Sequence, residues 1–409
     1  MLKLFDAAAR VSVGVALCFL PCRTAFAQAL APLDSPAGPG SGEPNLAVAP
    51  DGRVILSWIE AVGDGAHALR MAARTPGASW SAAREVTRGT GFFVNWADFP
   101  SVATHPDGSL WAHWLVKSGD SKYAYDVKIS RSADGGKTWS APLTPHRDGT
   151  QAEHGFVSLL PFEQSMGVVW LDGRKMAGGH GHDSKTAETQ LMFTTIDRQG
   201  KLADEVVLDP RVCDCCQTAA VPTSAGAVVA YRDRSPAELR DISAVRFDEA
   251  GWSAPADVSG DGWKIEGCPV NGPALAASGS DVALAWYASP PAGMRALVAF
   301  SRDGGRSFGS PIQFDEGRPL GRVGVVLLAD GSALVSWLER RGEAAQVLAR
   351  RIEASGAKGP LIVVADTTPA RSSGFSRLVR SGGEVVFAWT EDVKPPRVRT
   401  AVLKLEPAK

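Results

Sequence analysis

The sequence predicts an all-β chain, a β-propeller of seven four-stranded blades, and three observations carry that expectation. One apolar phrase recurs seven times, closing on Trp58, Trp114, Trp170, Tyr231, Trp286, Trp337 and Trp389, at intervals of 51 to 61 residues. Each phrase consists of two short alternating runs split by a turn, such as Pro50-Asp51-Gly52 or Pro106-Asp107-Gly108. Hairpin signals at that spacing belong to a radial array rather than to separate domains. The last unit shows only three strands, at 376–380, 385–389 and 398–403, while the stretch 29–34 reads like the outer-strand text of other units. An N-terminal strand is therefore expected to close the ring and remove a free sheet edge. Six blades is the competing count.

The chain opens as a secretory leader. Lys3 and Arg10 give the basic end, Val11 to Leu20 the apolar stretch, and Ala25-Phe26-Ala27 a small-x-small cleavage site before Gln28. Residues 1–27 are thus expected to be removed and 28–409 to form one propeller domain, a monomer in the periplasm or medium. The apolar stretch is too short to span a bilayer, and no later segment is long enough. With 43 basic against 44 acidic residues, the chain has no basic field to hold nucleic acid or an anionic membrane. A small-molecule or glycan ligand is the expected partner.

In the second unit, strands are expected at 101–105, 110–116, 126–130 and 139–143. Between the last two lies Ser132-Ala133-Asp134-Gly135-Gly136-Lys137-Thr138-Trp139, and the fifth unit carries Ser301-Arg302-Asp303-Gly304-Gly305-Arg306-Ser307-Phe308. Both octets read as hairpins in which the Asp collects backbone N–H groups and the glycines take positive φ.

These octets match the Asp box, S-x-D-x-G-x-T-W, and on them the chain resembles the sialidase and BNR-repeat propellers over essentially its whole mature length. The resemblance implies a glycan-related function. For a sialidase-type exo-glycosidase it implies three arginines on a substrate carboxylate, an Asp acid/base and a Tyr nucleophile. Here those roles would fall to Arg174, Arg232 and Arg234, to Asp98 or Asp172, and to Tyr231. The Arg-Ile-Pro of active sialidases is absent.

Strand alternation sorts the loops onto two faces. The Asp boxes and Asp-Gly hairpins fill the lower face. The second-to-third loops and blade-to-blade connections fill the upper one, which therefore gathers the residue types that bind or catalyse. Arg232-Asp233-Arg234 reads either as an anion clamp or as a network bracing its own loop, and Asp172-Gly173-Arg174 is open to the same two readings. His154 and Asn271 complete the expected ligand-binding set.

Four cysteines remain after the leader: Cys213, Cys215, Cys216 and Cys268. They precede the inner strands of adjacent units, so they are expected in one cluster. Disulfides, a redox-active dithiol and a metal site are all open. For a metal, thiolates beside the imidazoles of His180 and His182 suit copper or zinc. Protein-partner scaffolding is a further functional class compatible with the fold.

Overall fold

The computed structural model describes residues 30–162, 164–176 and 188–405. Seven antiparallel sheets make the seven blades, numbered here over residues 41–89, 101–132, 154–212, 219–259, 274–313, 319–367 and 377–404. The seven-blade expectation holds over the six-blade one. Leu30–Leu33 pairs antiparallel with Arg397–Lys404, Leu30 opposite Leu403, and supplies the outer strand of blade 7. Among the described residues no helix is long and apolar enough to cross a membrane.

Each second strand is almost wholly buried, because it is sandwiched between neighbouring blades as well as between its own sheet partners. Trp58, Trp170, Trp286 and Trp337 are 0% exposed, Tyr231 and Trp114 are nearly so, and Trp389 alone of the seven is only partly buried. Burying one such ring contributes a few kcal/mol per blade.

Both octets fold as expected. Asp134 Oδ1 accepts from the Lys137 and Thr138 N–H groups at 2.9 and 3.0 Å, and Asp303 Oδ1 accepts from Ser307 N–H at 2.9 Å. These bonds, with those from the Thr138 and Ser307 hydroxyls, hold both carboxyls below the usual range. Gly136 and Gly305 are required twice over. Each has φ of +82°, and a Cβ would meet Met71 Sδ at 2.8 Å or Val228 Cγ2 at 2.6 Å in the preceding blade.

Blade 2 departs from expectation. Its sheet has three strands, Ser101–Thr104, Leu110–Lys117 and Tyr125–Ser132, and the fourth expected at 139–143 is reduced to one bridge between Ile129 and Leu143. The chain from there to His154, where blade 3 begins, runs without a strand.

Candidate functional site

The inner strands line a central channel of about 710 Å³, whose wall includes Asn45, Asp98, His113, Gln217 and Arg377. Asp98 is 2% exposed; its Oδ1 accepts from Phe156 N–H at 2.8 Å and its Oδ2 from the Tyr125 hydroxyl at 2.8 Å. The same hydroxyl lies 2.8 Å from Glu153 Oε1. One hydroxyl proton cannot serve two carboxylates, so the chain is complete when Asp98 is protonated and donates to Tyr125, which donates to Glu153. Burial accordingly pushes Asp98 up to about 7 and, with Asp98 nearby, raises Glu43 as well. Gly155 makes room for this group, since a Cβ there would collide with Asp98 Oδ2. His113 is held neutral by burial, its pKa near 3, with Nδ1 2.8 Å from Ser101 Oγ.

Three arginines stand over aromatic rings on the same face. The Arg322 guanidinium lies 4.9 Å from the Trp96 ring centre, Arg371 lies 5.9 Å from it, and Arg377 lies 4.7 Å from that of Phe99. Among the described residues no carboxylate comes within 4.0 Å of any of the three. Arg322 spends its N–H groups on Ser373 Oγ and the carbonyls of Gly374 and Ala370. Arg377 Nε donates to Asn45 Oδ1 at 2.9 Å. Burial lowers both to about 10, so both remain cations at neutral pH.

The arginines singled out from the sequence are placed differently. Arg174 is spent on Asp172, at 2.6 and 2.8 Å, and on Glu205 at 2.8 Å. Arg232 is 1% exposed, donates to the carbonyls of Asn271, Arg240 and Tyr287, and lies over the Trp263 ring. Arg234 pairs with Glu238. The three do not converge on one point as a clamp: each guanidinium is taken up by separate partners, because a buried guanidinium needs partners for its five donors. Asp233 sits in the same brace, bonded through its backbone to Asp241, with burial raising its carboxyl to about 6.

Tyr231 and Asp172, expected in catalytic roles, are also built into the framework. The Tyr231 hydroxyl donates to Asp209 Oδ2 at 2.6 Å, and burial followed by Asp209 raises its pKa. Asp172 is 0% exposed and accepts from the Trp170 indole as well as from Arg174. Asn271 ties blades together, accepting from Arg322 N–H at 2.8 Å and donating to the Leu320 carbonyl.

The cysteines do gather. Cys215 is bonded to Cys268 with Cα atoms 6.0 Å apart, and Cys213 and Cys216 are buried free thiols whose sulfurs are 3.1 Å apart. Cys213 Sγ is 3.8 Å from Cys215 Sγ. Burial raises the Cys213 thiol, whereas at Cys216 the same burial is outweighed by the Cys213 thiol and the Arg232 charge, which hold it lower. With Cys215 and Cys268 joined, two thiols remain for a soft ion or for oxidation to a second bridge. His180 and His182 lie outside the described residues.

His154 joins a different group. It is 0% exposed and stacks face to face on His146, ring centres 3.7 Å apart and planes within 4°. Asp126, Asp148 and Asp172 surround the pair. His146, Asp148, Tyr125, Arg377 and Glu43 were not singled out in the sequence. The one available signal was His146-Arg147-Asp148, a short run of polar chemistry in a connection with no strand of its own.

No family model and no curated protein matches this sequence. Among solved structures the chain is similar to a protein of unknown function from Dyadobacter fermentans, at 14% identity and a TM-score of 0.51, over 92% of this chain and 97% of that one. The NanB sialidase of Streptococcus pneumoniae, as its K499G mutant, gives 10% identity and 0.47 over 86% of this chain and 83% of that one. Trypanosoma rangeli sialidase gives 13% and 0.48 over 79% and 56%. At these identities the likeness is one of fold. The chain is a seven-bladed β-propeller.

Proposed function

We propose that the protein works outside the cytoplasm, as a monomer, and binds a small anionic ligand of glycan type at the upper mouth of its channel. The observation that carries this reading is the pair Arg371 and Arg377, over Trp96 and Phe99, with no carboxylate among the described residues within 4.0 Å of either; Arg322, whose N–H groups are spent on Ser373, Gly374 and Ala370, adds its charge at the same Trp96 ring. Guanidinium groups with no carboxylate in contact favour a carboxylate or sulfate, and aromatic faces favour the apolar side of a sugar ring. The leader and the Cys215–Cys268 bridge support an oxidising compartment.

Calorimetric titration with N-acetylneuraminate, glucuronate and a sulfated monosaccharide tests the reading. Saturable binding of at least one, weakened more than tenfold by Arg377→Gln and little changed by Arg234→Gln, is expected. No binding of any probe, or equal binding by Arg377→Gln, defeats it.

A hydrolytic role is favoured by one specific arrangement, Tyr125 between Glu153 and a protonated Asp98. In that reading Asp98 gives its proton to the leaving oxygen as the bond from that oxygen to the anomeric carbon breaks, and Glu153 takes the proton of Tyr125, whose phenol burial holds well above its ordinary pKa, as the Tyr125 oxygen bonds to the same carbon. Release of fluorophore from a sialyl or uronyl glycoside, lost in both Asp98→Asn and Tyr125→Phe, is the expected sign. Inertness toward both substrates leaves binding alone.

A further inference from the structure

We infer that Cys213, Cys215, Cys216 and Cys268 form one thiol–disulfide exchange site, in which the buried Cys213 and Cys216 thiols pass two electrons through the Cys215–Cys268 bridge to a disulfide of another molecule met at Cys268. The starting point is contact between the two halves. Cys213 Sγ lies 3.1 Å from Cys216 Sγ and 3.8 Å from Cys215 Sγ, so one thiol touches both its fellow thiol and a sulfur of the bridge. Cys213 and Cys216 also stand at the C-x-x-C spacing, at which dithiols cycle between free thiols and a bridge.

Burial divides the cluster. Cys213, Cys215 and Cys216 are 1%, 8% and 2% exposed, whereas Cys268 is exposed, between Gly267 and Pro269 in a strandless stretch before blade 5. The bridge thus connects the buried pair to solvent. Buried thiols are ordinarily inert, and here the surrounding charge works against that. Burial raises Cys213, and the Arg240 guanidinium offsets part of it. At Cys216 burial is outweighed by the Cys213 thiol, the Arg232 guanidinium and the Asn271 N–H, with Asp214 opposing them. A thiolate is therefore favoured at Cys216, within reach of the Cys213 proton.

The exchange conserves atoms and electrons. Cys213 gives its proton to the Cys216 thiolate as its own sulfur bonds to Cys215 Sγ. The Cys215–Cys268 bond breaks with its electron pair leaving on Cys268, an exposed sulfur whose charge water can solvate. The Cys268 thiolate attacks the outside disulfide RSSR, bonds to one sulfur and releases the other as RS⁻. Cys216 loses its proton and attacks Cys213, which frees Cys215. Cys215 then displaces the second RS⁻ from Cys268. The original bridge is restored, Cys213 and Cys216 are oxidised to a new one, and RSSR is reduced to two RSH, which carry the two thiol protons.

The test starts from the full mature chain, folded and in its two-thiol state. Oxidised glutathione is the small probe, and insulin, through its interchain bridges, the protein one. After acid quench and denaturation the thiol count should have fallen from two to zero, with peptide mapping placing the new bridge between Cys213 and Cys216. Oxidation by glutathione alone assigns RSSR to small disulfides, and by insulin alone to proteins. Cys216→Ser keeps the attack on Cys215 and removes the one that follows, so it should stop with one glutathione on Cys268 and a Cys213–Cys215 bridge. Cys213→Ser should take up none at Cys268. A count that stays at two with both probes overturns the inference. So does a Cys216→Ser chain that carries glutathione on Cys213 or none at all, or equal labelling of Cys268 in the two variants.

Discussion

The indole N–H of Trp170 donates to Asp172 Oδ2 at 2.8 Å, and the same pairing two residues apart joins Trp58 to Glu60 at 2.9 Å and Trp337 to Glu339 at 2.6 Å. Three blades thus use one device: a core tryptophan whose polar edge is met by an acid at the upper end of the same strand. Trp286 solves the same problem with Asp261 at 2.7 Å, an acid from a neighbouring connection. Asp172 belongs to this repeat, which explains why a carboxylate in so suggestive a position is fully enclosed.

Removing such an acid strands several donors at once. Glu339 accepts from Trp337 Nε1 and from the Arg318 and Glu316 N–H groups. Glu339→Ala is expected to lower stability by roughly 2–4 kcal/mol, since each buried unsatisfied donor costs about 1–3 kcal/mol. Denaturant unfolding measures this, and a loss under about 0.5 kcal/mol would refute the role.

Asp98 makes stability depend on pH with a definite sign. Its folded pKa, about 7, lies above the ordinary carboxyl value of 3.8, so the folded state holds the proton more tightly. Its contribution is fully present below the unfolded pKa and is lost as pH rises through about 7, at up to about 1.4 kcal/mol per pKa unit. The melting temperature should fall between pH 4 and 7 by more in the native chain than in Asp98→Asn. Parallel profiles for the two proteins would place the titration elsewhere.

Arg232 and Arg377 should separate cleanly. Arg232→Met leaves three buried carbonyls unpaired and is expected to cost roughly 3–5 kcal/mol. Arg377→Gln is expected to cost less in stability and to show its effect in ligand titration. Equal destabilisation by the two substitutions would assign Arg377 to the framework.

The sulfur cluster has a stoichiometry. Denatured without reductant, mature protein should titrate two thiols, those of Cys213 and Cys216, and Cys268→Ser should lower stability by roughly 2–5 kcal/mol. A count of zero would mean that these two have closed into a second bridge.

The ring and its closure were legible because a blade repeats. Hydrophobic alternation, Asp-Gly turns and one aromatic per unit each recur in register, so errors at one blade are corrected by the others. The weak outer strand of blade 2 was not, since a single bridge between Ile129 and Leu143 replaces a ladder that the text at 139–143 suggested. At the upper face, residue type alone could not tell a spent arginine from an available one. Arg232 looks like a clamp in sequence and is consumed by carbonyls from three segments, whereas Arg377 lies within an ordinary inner strand and faces the channel. His146 and His154 are eight positions apart, and only the fold shows that they stack.

The pairing of Leu30 with Leu403 joins residues from opposite ends of the synthesis order. The closing strand is made first and waits for its partner until the last blade exists, so blade 7 is a checkpoint that only a whole chain passes. Loop-closure entropy makes that late union slow rather than forbidding. Once made, it leaves the ring without a privileged beginning. A permuted gene that links Leu405 to Leu30 and opens at the Asp330-Gly331 hairpin should yield the same circle, with blade 6 inheriting the final step.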